Sequence, residues 1–292
     1  MALERPGELI DVAGGRMHLV RRGTKGPAIV LEAGWYGTAI GSWPVVLDRL
    51  AQLTTVCAYD RRGYGWSDPP AVPLSLDNVA RDLHSCLAGA GVAPPYVLVG
   101  HSLGGLYVRR FVELFPDAVC GMVLLDSTHP NQNAEMAAVS GPVFRFLLAL
   151  QEHAAPLLVG AMMRGSARKL IDVHFPGLDP EERRELLELH MRPSFKRTAL
   201  AELKSVPREA GTLTRRLPVD IPLLVVAAGK PVKFGGDPIR DVRRRHLEEQ
   251  VALSSRGELH VLEESGHLVA HDDPHGVVDA IASVLKRVAR PN

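Results

Sequence analysis

Residues 96–105, Tyr-Val-Leu-Val-Gly-His-Ser-Leu-Gly-Gly, leave this chain few ways to fold. An apolar β-branched run enters Gly100-x-Ser102-x-Gly104, and a helical pattern over about 103–114 leaves it. A serine held between a strand and a helix stands in a strained turn, where side chains two positions to either side would collide. Gly100 and Gly104 remove those side chains. The serine then sits at a helix N-terminus, with the Leu103 amide available to a developing oxyanion. Ser102 is therefore the candidate nucleophile and Leu103 a candidate oxyanion donor, with Gly100, His101 and Gly104 forming the elbow around them.

Such an elbow needs a sheet to stand in, and the flanking segments supply one. Residues 9–12 and 17–21, joined by Ala13-Gly14-Gly15-Arg16, read as a hairpin. Short apolar runs at 28–31, 55–59, 121–125, 222–226 and 259–262 read as strands. Ser75 is placed to cap a helix whose Leu76, Val79, Ala80, Leu83 and Leu87 share one face before Gly89 and Gly91. Asp273 followed by Pro274 marks the start of the last helix, and residues 242–253 predict another. Continuous apolar strands alternating with helices predict an α/β fold, a mostly parallel sheet covered by helices on both faces.

Between Asp126 and about Leu217 that rhythm stops. Helical patterns at 134–149, 154–170, 180–191 and 195–206 replace it. The expectation is a core domain of 1–126 and 218–292 with a helical cap, 127–217, inserted between strands. Phe144, Phe146, Leu157, Met162, Met163 and Phe175 would line an apolar pocket or pack the cap helices against the sheet.

A nucleophilic serine needs a base, and twelve histidines compete. His267, in Ser265-Gly266-His267, follows the last strand and so falls on a loop at the carboxyl edge, the edge that carries Ser102. His101 adjoins the nucleophile with its side chain directed away from the site. His129, at the start of the insertion, suits either a pocket or the surface. The acid that would orient His267 stays open. Asp126 ends the strand after the nucleophile helix; Asp237 follows the next strand; Asp241, already within a helical pattern, is a third choice.

Composition removes other chemistries. Thirty-four Lys and Arg against thirty-three Asp and Glu give a net charge of +1, which argues against a nucleic-acid surface. The Arg243-Arg244-Arg245 run reads as a solvated helix face. Cys57, Cys86 and Cys120 lie apart without metal-ligand spacing and read as buried small hydrophobes in a reducing compartment. His267-x-x-x-His271 lacks the glutamate of a zincin helix, and neither a dinucleotide fingerprint nor a P-loop is present, so no cofactor or metal is expected. The first residues lack a signal-peptide core, and no run of 18 apolar residues occurs; the expectation is a cytoplasmic protein without a membrane span.

Beyond these local readings, the chain resembles the α/β-hydrolase superfamily, specifically its cap-bearing serine esterase and lipase-like members, over residues 26 to about 285. The resemblance rests on Leu31-Glu-Ala-Gly-Trp-Tyr-Gly37, Tyr59-Asp-Arg-Arg-Gly-Tyr-Gly-Trp-Ser-Asp68, Gly100-His-Ser-Leu-Gly-Gly105 and Glu264-Ser-Gly-His267. It implies the α/β-hydrolase fold, Ser102 as nucleophile, His267 as base and a second oxyanion amide after Gly34, from Trp35. The chain departs from the family twice. Ala33-Gly34 replaces a common His-Gly pair, and valine stands where Gly229-Lys-Pro-Val232 would carry the acid. Some lipases take that acid from the end of the strand after the nucleophile, which favours Asp126 over Asp237. The charged residues of 59–68 are expected to pin the loop beside the oxyanion turn.

The reading that follows is hydrolysis of small hydrophobic carboxylic esters through an acyl-enzyme. Alternatives on the same residues are a carbon–carbon bond hydrolase, an amidase or aminopeptidase, a perhydrolase, and a non-catalytic ligand-binding member of the fold.

Overall fold

Among the described residues eight strands form one sheet: β1 (Glu8–Val12), β2 (Gly15–Arg22), β3 (Ile29–Glu32), β4 (Val56–Tyr59), β5 (Tyr96–His101), β6 (Val119–Leu125), β7 (Leu223–Ala228) and β8 (Gly257–Leu262). The structure, a computed structural model, describes residues 5–139, 165, 168, 171–172, 179–230 and 236–289. Strand order is β1-β2-β4-β3-β5-β6-β7-β8. The β1–β2 hairpin and the β2–β4 pair are antiparallel; every later pair is parallel. This is the mostly parallel α/β sheet that the sequence predicts.

Alternation along the central strands divides the core in two. Val30, Leu98, Met122, Leu124 and Val225 point to one face, covered by α2 (Leu76–Gly89) and α3 (Gly104–Leu114). Ile29, Leu31, Val97, Val99, Val123 and Val226 point to the other, covered by α1 (Pro44–Leu50) and by the C-terminal helix Pro274–Val288. Both faces being buried explains why β3, β5 and β6 read as unbroken apolar runs. Ser75 caps α2 by accepting the Asn78 amide, and Asp273 caps the C-terminal helix by accepting the Gly276 amide.

Between β6 and β7 the described residues form α4 (Gln132–Val139), α5 (Pro180–Met191) and α6 (Pro193–Glu209). The last two match the predicted 180–191 and 195–206. Most of the predicted 134–149 and 154–170, and Phe144, Phe146, Leu157, Met162, Met163 and Phe175, lie outside the described residues. Helix α6 builds a third apolar cluster: its Phe195, Ala199 and Val206 pack against Tyr64, Leu74, Leu76, Leu103, Leu106 and Tyr107. One flank of the insertion is thus fused to the elbow helix by a core of its own.

Helix α7 (Gly236–Val251) starts six residues before the predicted 242, because Pro238 is tolerated in a first turn where its missing N–H has no helical partner. It is followed by β8, α8 (Val269–Asp272) and α9 (Pro274–Val288). Cys57 and Cys86 are buried as expected, but Cys120 is only half-buried. Among the described residues no helix is long and apolar enough to cross a membrane, and no cluster of three His, Cys, Asp or Glu side chains suits a metal ion.

Candidate active site

Adjacent rungs of the sheet bring the first two residues together. His101 on β5 is in register with Leu125 on β6, so Ser102 and Asp126 are the next pair along two parallel strands. The ladder continues through them: the Ser102 amide donates to Leu125 and the Asp126 amide to Val226, at 3.0 and 2.7 Å. At that rung both chains turn sharply. Ser102 has φ +51° and Asp126 φ +37°, left-handed values that side chains disfavour and that tertiary contacts must hold. Tyr36, beyond β3, shares this backbone class with φ +47°.

His267 arrives from the loop between β8 and α8. Its Nε2 lies 3.0 Å from Ser102 Oγ, and its Nδ1 lies 2.7 Å from Asp126 Oδ2. The sequence candidates Ser102, His267 and Asp126 therefore form one continuous hydrogen-bonded line. The backbone of Asp237 stands in the first turn of α7, and Asp241 lies further along the same helix, beside Arg244; among the described side chains the carboxylate on His267 is that of Asp126.

The environments of the two ends differ. The Asp126 side chain is 12% exposed, whereas that of His267 is 56% exposed. Burial alone would push the Asp126 carboxyl up. The His267 hydrogen bond and charge, the Ala228 amide at 3.2 Å and Arg243 Nη2 at 3.3 Å outweigh it and hold the group below the usual carboxylate range. Arg243 thus departs from the solvated-face reading of the arginine run: it reaches back to Asp126.

His101 is buried and does turn away from Ser102. Its Nε2–H donates to the His267 carbonyl at 2.8 Å. Burial first, and the neighbouring His267 second, push its pKa down to about 4, so the ring is neutral and its Nε2 is the donor. His129 belongs neither to the site nor to the open surface. It stacks on His246 with centroids 4.0 Å apart and pairs with Glu249 at 3.1 Å.

The loop after β3 lies directly against Ser102: a Cβ at Gly34 would stand 3.2 Å from the Ser102 Cβ and 3.1 Å from His101 Nδ1. The expectation that residues 59–68 pin this loop holds, with details that the sequence did not reveal. Arg61 is buried behind it, donating to Glu32 and to the carbonyls of Ala33 (2.7 Å) and Gly34 (2.8 Å). Its Nε donates at 3.0 Å to Glu202 of α6, whose carboxylate also accepts the Tyr64 and Tyr107 hydroxyls at 2.6 and 2.7 Å. Burial would push the Arg61 guanidinium down, but Glu202 and Glu32 reverse this and keep it charged. Burial pushes Glu32 up to about 7 against the pull of Arg61 and the Tyr59 hydroxyl. Asp60, next along, is buried against His18 at 2.7 Å and accepts the Ala39 and Trp66 amides. Among the described residues neither the Leu103 nor the Trp35 amide has an acceptor.

Glu32, Glu202 and Arg243 were missed at the sequence level. Glu32 had a signal, as a lone carboxylate ending an otherwise apolar strand; Glu202 and Arg243 had none, since their partners are 95 or more residues away.

Fold and geometry agree with what the chain is related to. A model of the alpha/beta hydrolase family matches residues 29–280, and the chain belongs to that family. It is 33% identical over 191 residues to an uncharacterized protein of Schizosaccharomyces pombe, covering 63% of this chain and 33% of that one. The chain thus spans about a third of that relative's length. Among solved structures, it resembles a thermophilic esterase from Thermogutta terrifontis (19% identity, TM-score 0.65, 98% and 100% of the two chains). It also resembles a meta-cleavage product hydrolase from Pseudomonas fluorescens (18% identity, TM-score 0.66, 97% and 98% covered). At such identity these two likenesses speak to the fold alone.

Proposed function

We propose that the chain is a serine hydrolase of small hydrophobic carboxylic esters, with Ser102 as nucleophile, His267 as general base and Asp126 as the acid that orients it. The observation carrying this reading is the in-line pair of contacts at His267, 3.0 Å to Ser102 Oγ and 2.7 Å to Asp126. The Ser102 hydroxyl passes its proton to Nε2 as Oγ attacks the acyl carbon, while Asp126 accepts the Nδ1–H and stabilises the imidazolium. The Leu103 and Trp35 amides receive the oxyanion, each worth roughly 3 kcal/mol in comparable sites. Collapse of the tetrahedral intermediate expels the alcohol, protonated by His267, and water attacks the acyl-enzyme by the same route in reverse. The scheme uses neither metal nor cofactor.

The domain division goes with this reading. Residues 127–217 act as a cap over a core of 1–126 and 218–292, and the cap selects the substrate. A cytoplasmic setting and a small-molecule partner rather than a nucleic acid complete it. The test is p-nitrophenyl ester turnover across acyl chain lengths, with Ser102→Ala in parallel. Turnover abolished in the variant is the expected result; no turnover from folded wild-type protein overturns the ester reading.

A further inference from the structure

We propose that Glu202, on the inserted helix α6, is a positioning residue for the oxyanion hole, acting on the Trp35 amide through Arg61 and the Gly34 carbonyl. The inference rests on the serine-hydrolase reading above and names what sets its oxyanion donor. The Gly34 C=O and the Trp35 N–H belong to one peptide plane and, in a trans peptide, point in opposite directions. Whatever fixes that carbonyl therefore aims that amide. The carbonyl is held by Arg61 Nη2 at 2.8 Å and by the Gly37 amide at 3.1 Å. A cation donating to the oxygen also polarises the peptide and makes its N–H the stronger donor.

Arg61 is itself held from the insertion. Its side chain is 1% exposed, and its Nε–H is satisfied by Glu202, whose own side chain is fully buried. The rings of Tyr64 and Tyr107 each lie 5.1 Å from the guanidinium, and their hydroxyls donate to the two oxygens of Glu202. This leaves Arg61 one orientation, with its second edge directed at Ala33 and Gly34. One turn earlier on α6, the Ala199 carbonyl accepts the Trp35 indole N–H at 2.9 Å. Ala199 and Glu202 are three residues apart and so share a helix face. Helix α6 thus grips Trp35 twice, by its side chain directly and by its backbone through the arginine.

The experiment compares wild type, Glu202→Gln and Trp35→Phe by the rate at which a fluorophosphonate labels Ser102. In that reaction Oγ attacks phosphorus, fluoride departs, and the serine proton leaves through His267, so the rate reports the nucleophile and the oxyanion hole without a natural substrate. Rates are expressed per titrated active site, so that a loss of folded protein lowers the titre and not the rate constant. Glu202→Gln is expected to label about 10- to 100-fold more slowly, and Trp35→Phe several-fold more slowly. On a p-nitrophenyl ester the same variants lose kcat with KM held within about twofold, the pattern of an interaction made in the transition state. Unchanged labelling in Glu202→Gln, whatever Trp35→Phe does, or a loss confined to KM, overturns the inference while leaving the serine-hydrolase reading intact. If Glu202→Gln does not fold, Glu202→Asp, which keeps the charge but shortens its reach to Arg61, takes its place, and unchanged labelling there overturns the inference. Wild-type protein that takes no label overturns the reading itself and this inference with it.

Discussion

Replacing Asp126 by asparagine tests the site at its most informative point, because the structure dictates which way the new amide must face. Oδ1 of Asp126 accepts the Ala228 amide and Arg243 Nη2. Both are donors, so the single oxygen of the asparagine side chain has to stay with them. Its NH2 group is then turned on His267 Nδ1, where Oδ2 accepted a proton at 2.7 Å. Nδ1 becomes the acceptor, the ring proton moves to Nε2, and the nitrogen 3.0 Å from Ser102 Oγ no longer has a lone pair to offer. The change keeps volume and packing yet sets the wrong tautomer, which in serine triads lowers kcat by about 10³- to 10⁴-fold, roughly 4 to 5.5 kcal/mol of barrier. Steady-state hydrolysis of p-nitrophenyl butyrate at pH 7, normalised by burst titration, measures it, with Asp237→Asn as the control expected to stay within about twofold. An Asp126→Asn variant that keeps more than about a tenth of wild-type activity, or an Asp237→Asn variant that falls as far, refutes the reasoning.

Two further outcomes follow from contacts around the loop after β3. A Cβ at Gly104 would come within 2.5 Å of the Glu32 carbonyl oxygen and 2.7 Å of the Ala33 carbonyl oxygen, neither of which can yield without moving the loop. Gly104→Ala is expected to lose about 1–3 kcal/mol, several degrees in a thermal melt, and at least tenfold in kcat. Glu32, pushed up from 4.5 to about 7 by burial, is more readily protonated folded than unfolded. Its contribution is fully present below about pH 4.5 and is lost as pH rises to about 7, a change of roughly 3 kcal/mol. Glu32→Gln should therefore gain stability relative to wild type as the pH goes from 5 to 8 in urea titrations; a difference that is flat across that range contradicts the assignment.

The parts of this molecule that were legible in the sequence are those whose cause is local. Gly100, Ser102 and Gly104 announce their turn because the steric problem and its solution lie within five residues. Ser75 and Asp273 cap the helices for which they were chosen, since a cap needs only the next turn. His267 could be placed at the carboxyl edge by its position after a strand and before Pro274. The choice between Asp126 and Asp237 could not be made that way. It depends on which strand end lies beside the β8–α8 loop, a property of the whole sheet order. Arg61 was legible as a structural charge, but its partner Glu202 sits 141 positions away on a helix whose docking no periodicity encodes. Arg243 went astray for the same reason: a triple-arginine run looks like a solvated face until Asp126, just past the end of β6, is brought beside α7.

Ser102, Asp126 and Tyr36 share a backbone that only glycine adopts freely, and the first two do so on the same rung. Holding an ordinary residue there costs on the order of 1–3 kcal/mol each. The backbone there is strained relative to glycine, and the strain is concentrated at the edge of the sheet that carries Ser102. This gives the site a signature that requires no substrate. In a calorimeter, Ser102→Gly, which gives up a single hydroxyl contact, is the substitution at which relief of that strain should show as a raised melting temperature.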